Sequence, residues 1–276
     1  GLHFKQETMP SIIVAKLEQE ATAVKPIANV FLLTPKWGNN YIESIFANDD
    51  TFTQFQSDDM RGEMPGPYIG EAPALEEGFL NIRCRNFDPI SISRLLHLID
   101  FGKSRFFLFT RHPGSFFRSA SAYHLRGGEE WARTNCYPYL DYRTLHDALS
   151  MASHSDERLI ITMKHFGLAW RLLDRWAQNH RFLLSINAEL TVVKTEEIFS
   201  SVSQEYFEEL AALLTHQSYS ISPQRLMLAS PAFMNELPSH STGEFKKPNF
   251  HGYGERAIRF YRANFCAIQE YFYDSP

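Results

Sequence analysis

Cysteine is scarce and scattered. Cys84, Cys136 and Cys266 are the only three, and they form no CxxC pair. That spacing excludes the common zinc and dithiol motifs and points to three reduced thiols in a cytoplasmic protein. Long apolar runs are missing as well, since none approaches the ~18 residues that a membrane span needs. Positive charge is not in excess: 27 Lys and Arg face 32 Asp and Glu among 276 residues, for a net charge of −5. No nucleic-acid partner is expected from such a balance. A local basic pocket for a small anion stays compatible with it, because net charge does not report local charge. The chain has no internal repeat and no low-complexity segment. Its first residues, Gly1 to Glu7, lack the apolar core of a signal peptide. Residues 1–10 read as an expression scar, an interdomain cut or a disordered lead, and carry no part of the fold reading.

What is present is an ordinary globular balance, with 44% hydrophobic and 21% charged residues. The 23 Phe and 12 Tyr are chiefly core, because large rings dominate buried area. No shift in composition marks a boundary, so one domain is expected over 1–276.

Apolar periodicity orders the elements. Residues 11–24 carry helical spacing. Residues 28–34 form a continuous apolar run of strand length, the pattern of a strand covered on both faces. Pro35-Lys36-Trp37-Gly38-Asn39-Asn40 is turn chemistry, and Tyr41 to Phe46 starts a helix. Residues 47–78 are polar and rich in Pro and Gly, and read as a loop over a site, as do 229–254. Phe79 to Arg85 is a short strand and Ser91 to Ile99 a helix. Arg105 to Thr110 is a second strong strand, followed by the helix Ser115 to Leu125 and a loop over 127–143. Residues 158–179 read as one long helix, Leu190 to Lys194 as a buried strand, and 203–215 and 255–273 as helices. Strands alternating with helices predict an α/β fold, a single-domain three-layer sandwich on a mostly parallel central sheet. A ligand site is then expected beyond the C-terminal ends of the strands.

Two clusters fall at such ends. In the first, a helix N-terminus offers unpaired N–H groups and partial positive charge to an anion. Gly38 lets the backbone approach it closely, Lys36 adds a full charge, and the Asn39 and Asn40 amides add donors. This is not the GxxxxGK[ST] loop of nucleotide triphosphatases. In the second, Arg111 ends a strand, Pro113 stiffens the exit, and Ser119 follows on the next helix. A guanidinium fork with a hydroxyl suits a terminal phosphate.

Together the clusters resemble the PAPS-dependent sulfotransferase family (PAPS is 3′-phosphoadenosine-5′-phosphosulfate). Pro35-Lys36-Trp37-Gly38-Asn39-Asn40-Tyr41 is similar to its 5′-phosphosulfate loop, Pro-Lys-x-Gly-x-x-aromatic. Arg111-His112-Pro113 through Ser119 is similar to its 3′-phosphate motif, Arg-x-Pro-x5-Ser. The resemblance covers roughly residues 28–273 and implies a P-loop-like sulfotransferase fold. It implies that Lys36 meets the 5′-phosphate and the bridging oxygen, and that the N–H groups of residues 37–41 cradle that phosphate. Arg111 and Ser119 would hold the 3′-phosphate, and Tyr41 would stand near the adenine. The family's late Arg-Lys-Gly loop is replaced by Ser239 to Pro248, where Ser241, Lys246 and Lys247 are the remaining 3′-phosphate candidates. Its Tyr-Glu-Asp-like segment is here Lys194-Thr195-Glu196-Glu197.

The implied activity is transfer of a sulfonate group to a hydroxyl or amine of a small-molecule acceptor. The product would be 3′,5′-diphosphoadenosine, and no metal is expected. A base must take the acceptor's proton. The histidine that many family members carry after the second strand is absent from Arg83-Cys84-Arg85-Asn86-Phe87-Asp88. Glu63 is the first candidate base, with Glu71 nearby; His124 is the second and His251 the third. Two other readings remain beside this one: a catalytically inactive nucleotide-binding or interaction module on the same scaffold, and a phosphotransferase, which would lean on Mg²⁺.

Overall fold

The computed structural model describes residues 24–33, 39–56, 78–85, 87–234 and 247–273. The helical spacing of 11–24 lies almost wholly outside them. The strands are β1 (Ile27–Leu33), β2 (Phe52–Gln56), β3 (Phe79–Arg85), β4 (Arg105–Thr110), β5 (Cys136–Tyr137), β6 (Arg143–Thr144) and β7 (Glu189–Lys194). Five of them make one sheet in the order β2-β3-β1-β4-β7, and every neighbouring pair is parallel. β5 and β6 form a separate antiparallel pair.

The helices are α1 (Asn39–Ile45), α2 (Pro89–Leu98), α3 (Pro113–Leu125), α4 (Trp131–Thr134), α5 (Leu145–Met151), α6 (Ser155–Thr162), α7 (Leu172–Ser185), α8 (Thr195–Ser200), α9 (Gln204–Leu214), α10 (Pro223–Leu228) and α11 (Glu255–Phe272). A π-helical segment, Met163–Ala169, joins α6 to the start of α7. Caps explain several starts. Asp88 accepts from the Ser91 N–H at 2.8 Å ahead of Pro89, and Ser222 accepts from the Arg225 N–H at 3.2 Å ahead of Pro223.

Successive strand residues point to opposite faces, and here both faces are covered. Val30, Leu32, Ile82 and Leu108 pack with Ile92 and Leu95 of α2, Phe116 and Phe117 of α3, Trp176 of α7 and Tyr261 of α11. Phe31, Leu33, Phe107 and Phe109 pack on the other face with Ile42 and Ile45 of α1 and with Phe207, Leu210 and Leu214 of α9. The result is a three-layer α/β sandwich. The Phe31 ring lies 5.2 Å from that of Phe46 and 5.3 Å from that of Phe107. Each fully buried ring of this kind contributes roughly 2–3 kcal/mol. No helix among the described residues is long and apolar enough to cross a membrane.

Four sequence expectations are corrected. β2 lies inside 47–78, which reads as loop. Among the described residues it is an edge strand paired only with β3, so it needs no continuous apolar run. The stretch 127–143 holds α4 and β5 and runs into the first residue of β6. β7 closes the other edge and of its residues only Val193 is buried. The single helix expected over 158–179 is interrupted. The π-helical segment brings His165, Phe166 and Trp170 to one side, with the Trp170 ring 4.6 Å from His165 and 5.5 Å from Phe166. Arg171 then takes a left-handed conformation at φ 51° before α7 begins.

Candidate functional site

The chain leaves β1 toward the β2 edge and leaves β4 toward the β7 edge. Adjacent parallel strands whose connections part in this way open a crevice at their C-terminal ends. Pairing of Leu32 with Leu108 sets the two exits side by side. Beyond β1 runs the segment carrying Pro35, Lys36, Trp37 and Gly38, and α1 begins at Asn39. Those four residues lie outside the described ones, as do Glu63, Glu71, Ser241 and Lys246.

The exit of β4 is built in detail. Thr110, Arg111 and His112 are all buried. The Arg111 Nε and Nη2 donate to Ser115 Oγ at 3.2 and 3.1 Å. Ser115 and Ser119 stand four residues apart on α3, a spacing that places them on one helix face, and both are buried. Thr195 Oγ1, at the start of α8, donates to the Thr110 carbonyl at 3.0 Å. Glu196 Oε1 accepts from the His112 N–H at 2.6 Å. The Tyr273 hydroxyl donates to Glu196 Oε2 at 3.1 Å and lies 3.2 Å from Thr110 Oγ1. Lys194 Nζ sits 5.1 Å from the centre of the Tyr273 ring.

His112 caps α3: its Nδ1 accepts from the Gly114 N–H at 3.1 Å. Burial and the nearby Arg118 cation hold its pKa down at about 4, so the imidazole is neutral and free to accept. The Arg118 guanidinium is buried and donates to the carbonyls of Pro248, Asn249 (2.9 Å) and Lys247 (3.3 Å). It thereby fastens the segment that leads into α11. Phe250 packs edge-on against His112 at 5.3 Å, and the Tyr253 hydroxyl donates to the Gly114 carbonyl at 2.9 Å. Gly114 is required here, because a Cβ would lie 2.9 Å from the Phe250 ring and 3.1 Å from the Asn249 oxygen.

No family model, curated protein or solved structure matches this chain.

Other sequence candidates fall in different places. Asn40 is exposed on the first turn of α1 and Lys247 is exposed; His251 is also exposed. Tyr41 packs in the core on the α1 face of the sheet. It is 3% exposed, its hydroxyl donates to the Leu226 carbonyl at 2.9 Å, and its ring meets Phe199 edge-on. His124, the second candidate base, lies in the core. It is 2% exposed, its Nδ1 lies 2.8 Å from the Ala120 carbonyl, and its ring is packed by Tyr123, Trp131 and Phe166. Arg85 ends β3 beside Leu33 of β1, and burial, together with Arg83, depresses its pKa. Among the described residues no group of three His, Cys, Asp or Glu is arranged to hold a metal ion.

Sequence reasoning did not single out Ser115, Arg118, Glu196 or Tyr273 for this site. The Ser115/Ser119 spacing was an available signal. Nothing in the sequence ties Arg118 to residues 247–249, or Tyr273 to Thr110.

Proposed function

We propose that this chain transfers a sulfonate group from PAPS to a hydroxyl or amine of a small-molecule acceptor. The observation that carries the reading is the adjacency of β1 and β4. It sets the C-terminal ends of these two strands side by side, and in sequence Pro35–Gly38 follows the first of them and Arg111-x-Pro113 the second. The Arg111, Ser115 and Ser119 set supports it further: a buried cation with two hydroxyls on one helix face matches the donor demand of a terminal phosphate.

In this reading Arg111 and Ser119 hold the 3′-phosphate. Lys36 neutralises charge on the bridging oxygen as the sulfur–oxygen bond breaks, and 3′,5′-diphosphoadenosine leaves. The acceptor oxygen or nitrogen forms the new bond to sulfur and gives its proton to a base, for which Glu63 is the remaining first candidate. The P-loop-like sulfotransferase fold and the family kinship belong to the same proposal.

The test is calorimetric titration with 3′,5′-diphosphoadenosine beside 5′-AMP. The bisphosphate should bind far more tightly, and Arg111→Ala should remove about 2–4 kcal/mol of that preference, as loss of a charge-assisted fork does. Equal binding of the two nucleotides would refute the cofactor assignment. A second reading, a nucleotide-binding module without chemistry, draws on the burial of His124 and on an arginine, Arg85, at the end of β3. Tight bisphosphate binding with no desulfonation of PAPS across a panel of phenols, amines and alcohols would favour it.

A further inference from the structure

A carboxylate is an unexpected neighbour for an anion site. Glu196 stands behind the β4 exit, and both of its oxygens are engaged: Oε1 by the His112 N–H and Oε2 by the Tyr273 hydroxyl. The charge of such a carboxylate would repel a phosphate. Its contacts instead define the backbone on both sides of Arg111. His112 is held by Glu196. Thr110 is held at its carbonyl by Thr195 Oγ1 and approached at its hydroxyl by Tyr273. The residues on either side of Arg111 are thus pinned from two other parts of the chain, the start of α8 and the residue that follows α11. Meanwhile the Arg111 side chain is steered onto Ser115.

We infer that Glu196 and Tyr273 are positioning residues that fix the direction of the Arg111 fork and so set the preference for a 3′-phosphorylated nucleotide. This rests on the cofactor reading proposed above. Neither residue touches the ligand in this account. A guanidinium fork is effective only when its plane and reach are fixed before the phosphate arrives, because an ion pair that must order itself loses most of its gain. Burial and the Glu196 charge both raise the Tyr273 pKa well above the ordinary phenol range, so this hydroxyl remains a donor at working pH.

The experiment is titration of 3′,5′-diphosphoadenosine and 5′-AMP into the wild-type chain and into Tyr273→Phe, Glu196→Ala and Glu196→Gln, with circular dichroism recorded for each. Tyr273→Phe deletes one oxygen and keeps the ring, so it reports even if Glu196→Ala does not fold. The expected result is about a 10-fold loss of bisphosphate affinity in Tyr273→Phe and ~10- to 100-fold in Glu196→Ala, with AMP affinity unchanged. Glu196→Gln keeps an acceptor for the His112 N–H and should recover most of the loss. Unchanged selectivity in Tyr273→Phe, or equal losses for both nucleotides, would overturn the positioning role and leave the cofactor reading intact. A wild-type chain that does not prefer the bisphosphate would overturn the cofactor reading itself, and this inference with it.

Discussion

Replacing Arg118 with methionine should release the segment 247–253 while the sheet stays folded. The buried guanidinium serves the carbonyls of Lys247, Pro248 and Asn249. Hydrogen bonds from a charged group are worth ~1.5–3 kcal/mol each, so a simple sum would reach about 4.5–9 kcal/mol. The true loss is smaller for two reasons. Methionine removes the cost of burying a charge, and carbonyls left without a donor regain water once the segment lifts. Lifting gives up the burial of Phe250 against His112 and Gly114, roughly 2 kcal/mol for a side chain of that size. The loss should therefore settle at about 2–4 kcal/mol and stay local. Hydrogen exchange is the assay. The amides of His251 and Tyr253, bonded to the Pro248 and Phe250 carbonyls, should exchange roughly 30- to 700-fold faster, since each 1.4 kcal/mol is a factor of ten. Peptides covering β1 and β4 should be unaffected. Unchanged protection over 247–253, or equal loss across the chain, would refute the reasoning.

The pH dependence of stability should carry a histidine signature. Folded His112 stays neutral down to about 4, whereas an unfolded histidine takes up its proton near 6.5. Stability should be level above that unfolded value and fall as pH drops through the window toward about 4, by up to ~1.4 kcal/mol per pH unit from this group. His165, held down to about 3 chiefly by burial and then by His124, adds to the same trend. His112→Asn keeps an acceptor for the Gly114 N–H and should flatten the slope in urea titrations run at several pH values; an unaltered slope would remove His112 from the account. Gly167→Ala should destabilise by about 2–3 kcal/mol through overpacking, because its Cβ would lie 2.5 Å from Phe265 ring carbons and 3.0 Å from Phe117 Cζ. Thermal unfolding checks this, and an unchanged midpoint would mean that the α11 ring yields without strain.

The parts of the fold that sequence reveals are those where burial dictates composition. Ala28 to Leu33 and Phe106 to Phe109 are covered on both faces, and no polar residue interrupts the second run, so strands were evident there. β2 escaped because Thr53, Gln54 and Gln56 alternate irregularly with two phenylalanines on a strand that, among the described residues, has a neighbour on one side only. The break at Trp170 and Arg171 escaped because a π-helical turn keeps the same residue types as an α-helix and changes only which of them share a face. In the site, Arg111 and Ser119 could be read from one local spacing. The groups that hold Arg111 could not, because Glu196 and Tyr273 lie far along the chain and meet it only through the pairing of β4 with β7 and the packing of α11.

The order of strands in space also sets a timetable for making the protein. The central strand β1 precedes both of its partners, and β4 cannot pair with it until Arg105–Thr110 has been synthesised. At ~5–20 residues per second, the roughly 70 intervening residues take about 4–14 s to appear. Throughout that interval the nascent chain carries an apolar strand, Ala28 to Leu33, whose backbone is open on its β4 side even after β3 has been made. Slowing translation between β1 and β4 should therefore raise aggregation of the nascent chain, whereas slowing it after Thr110 should do far less.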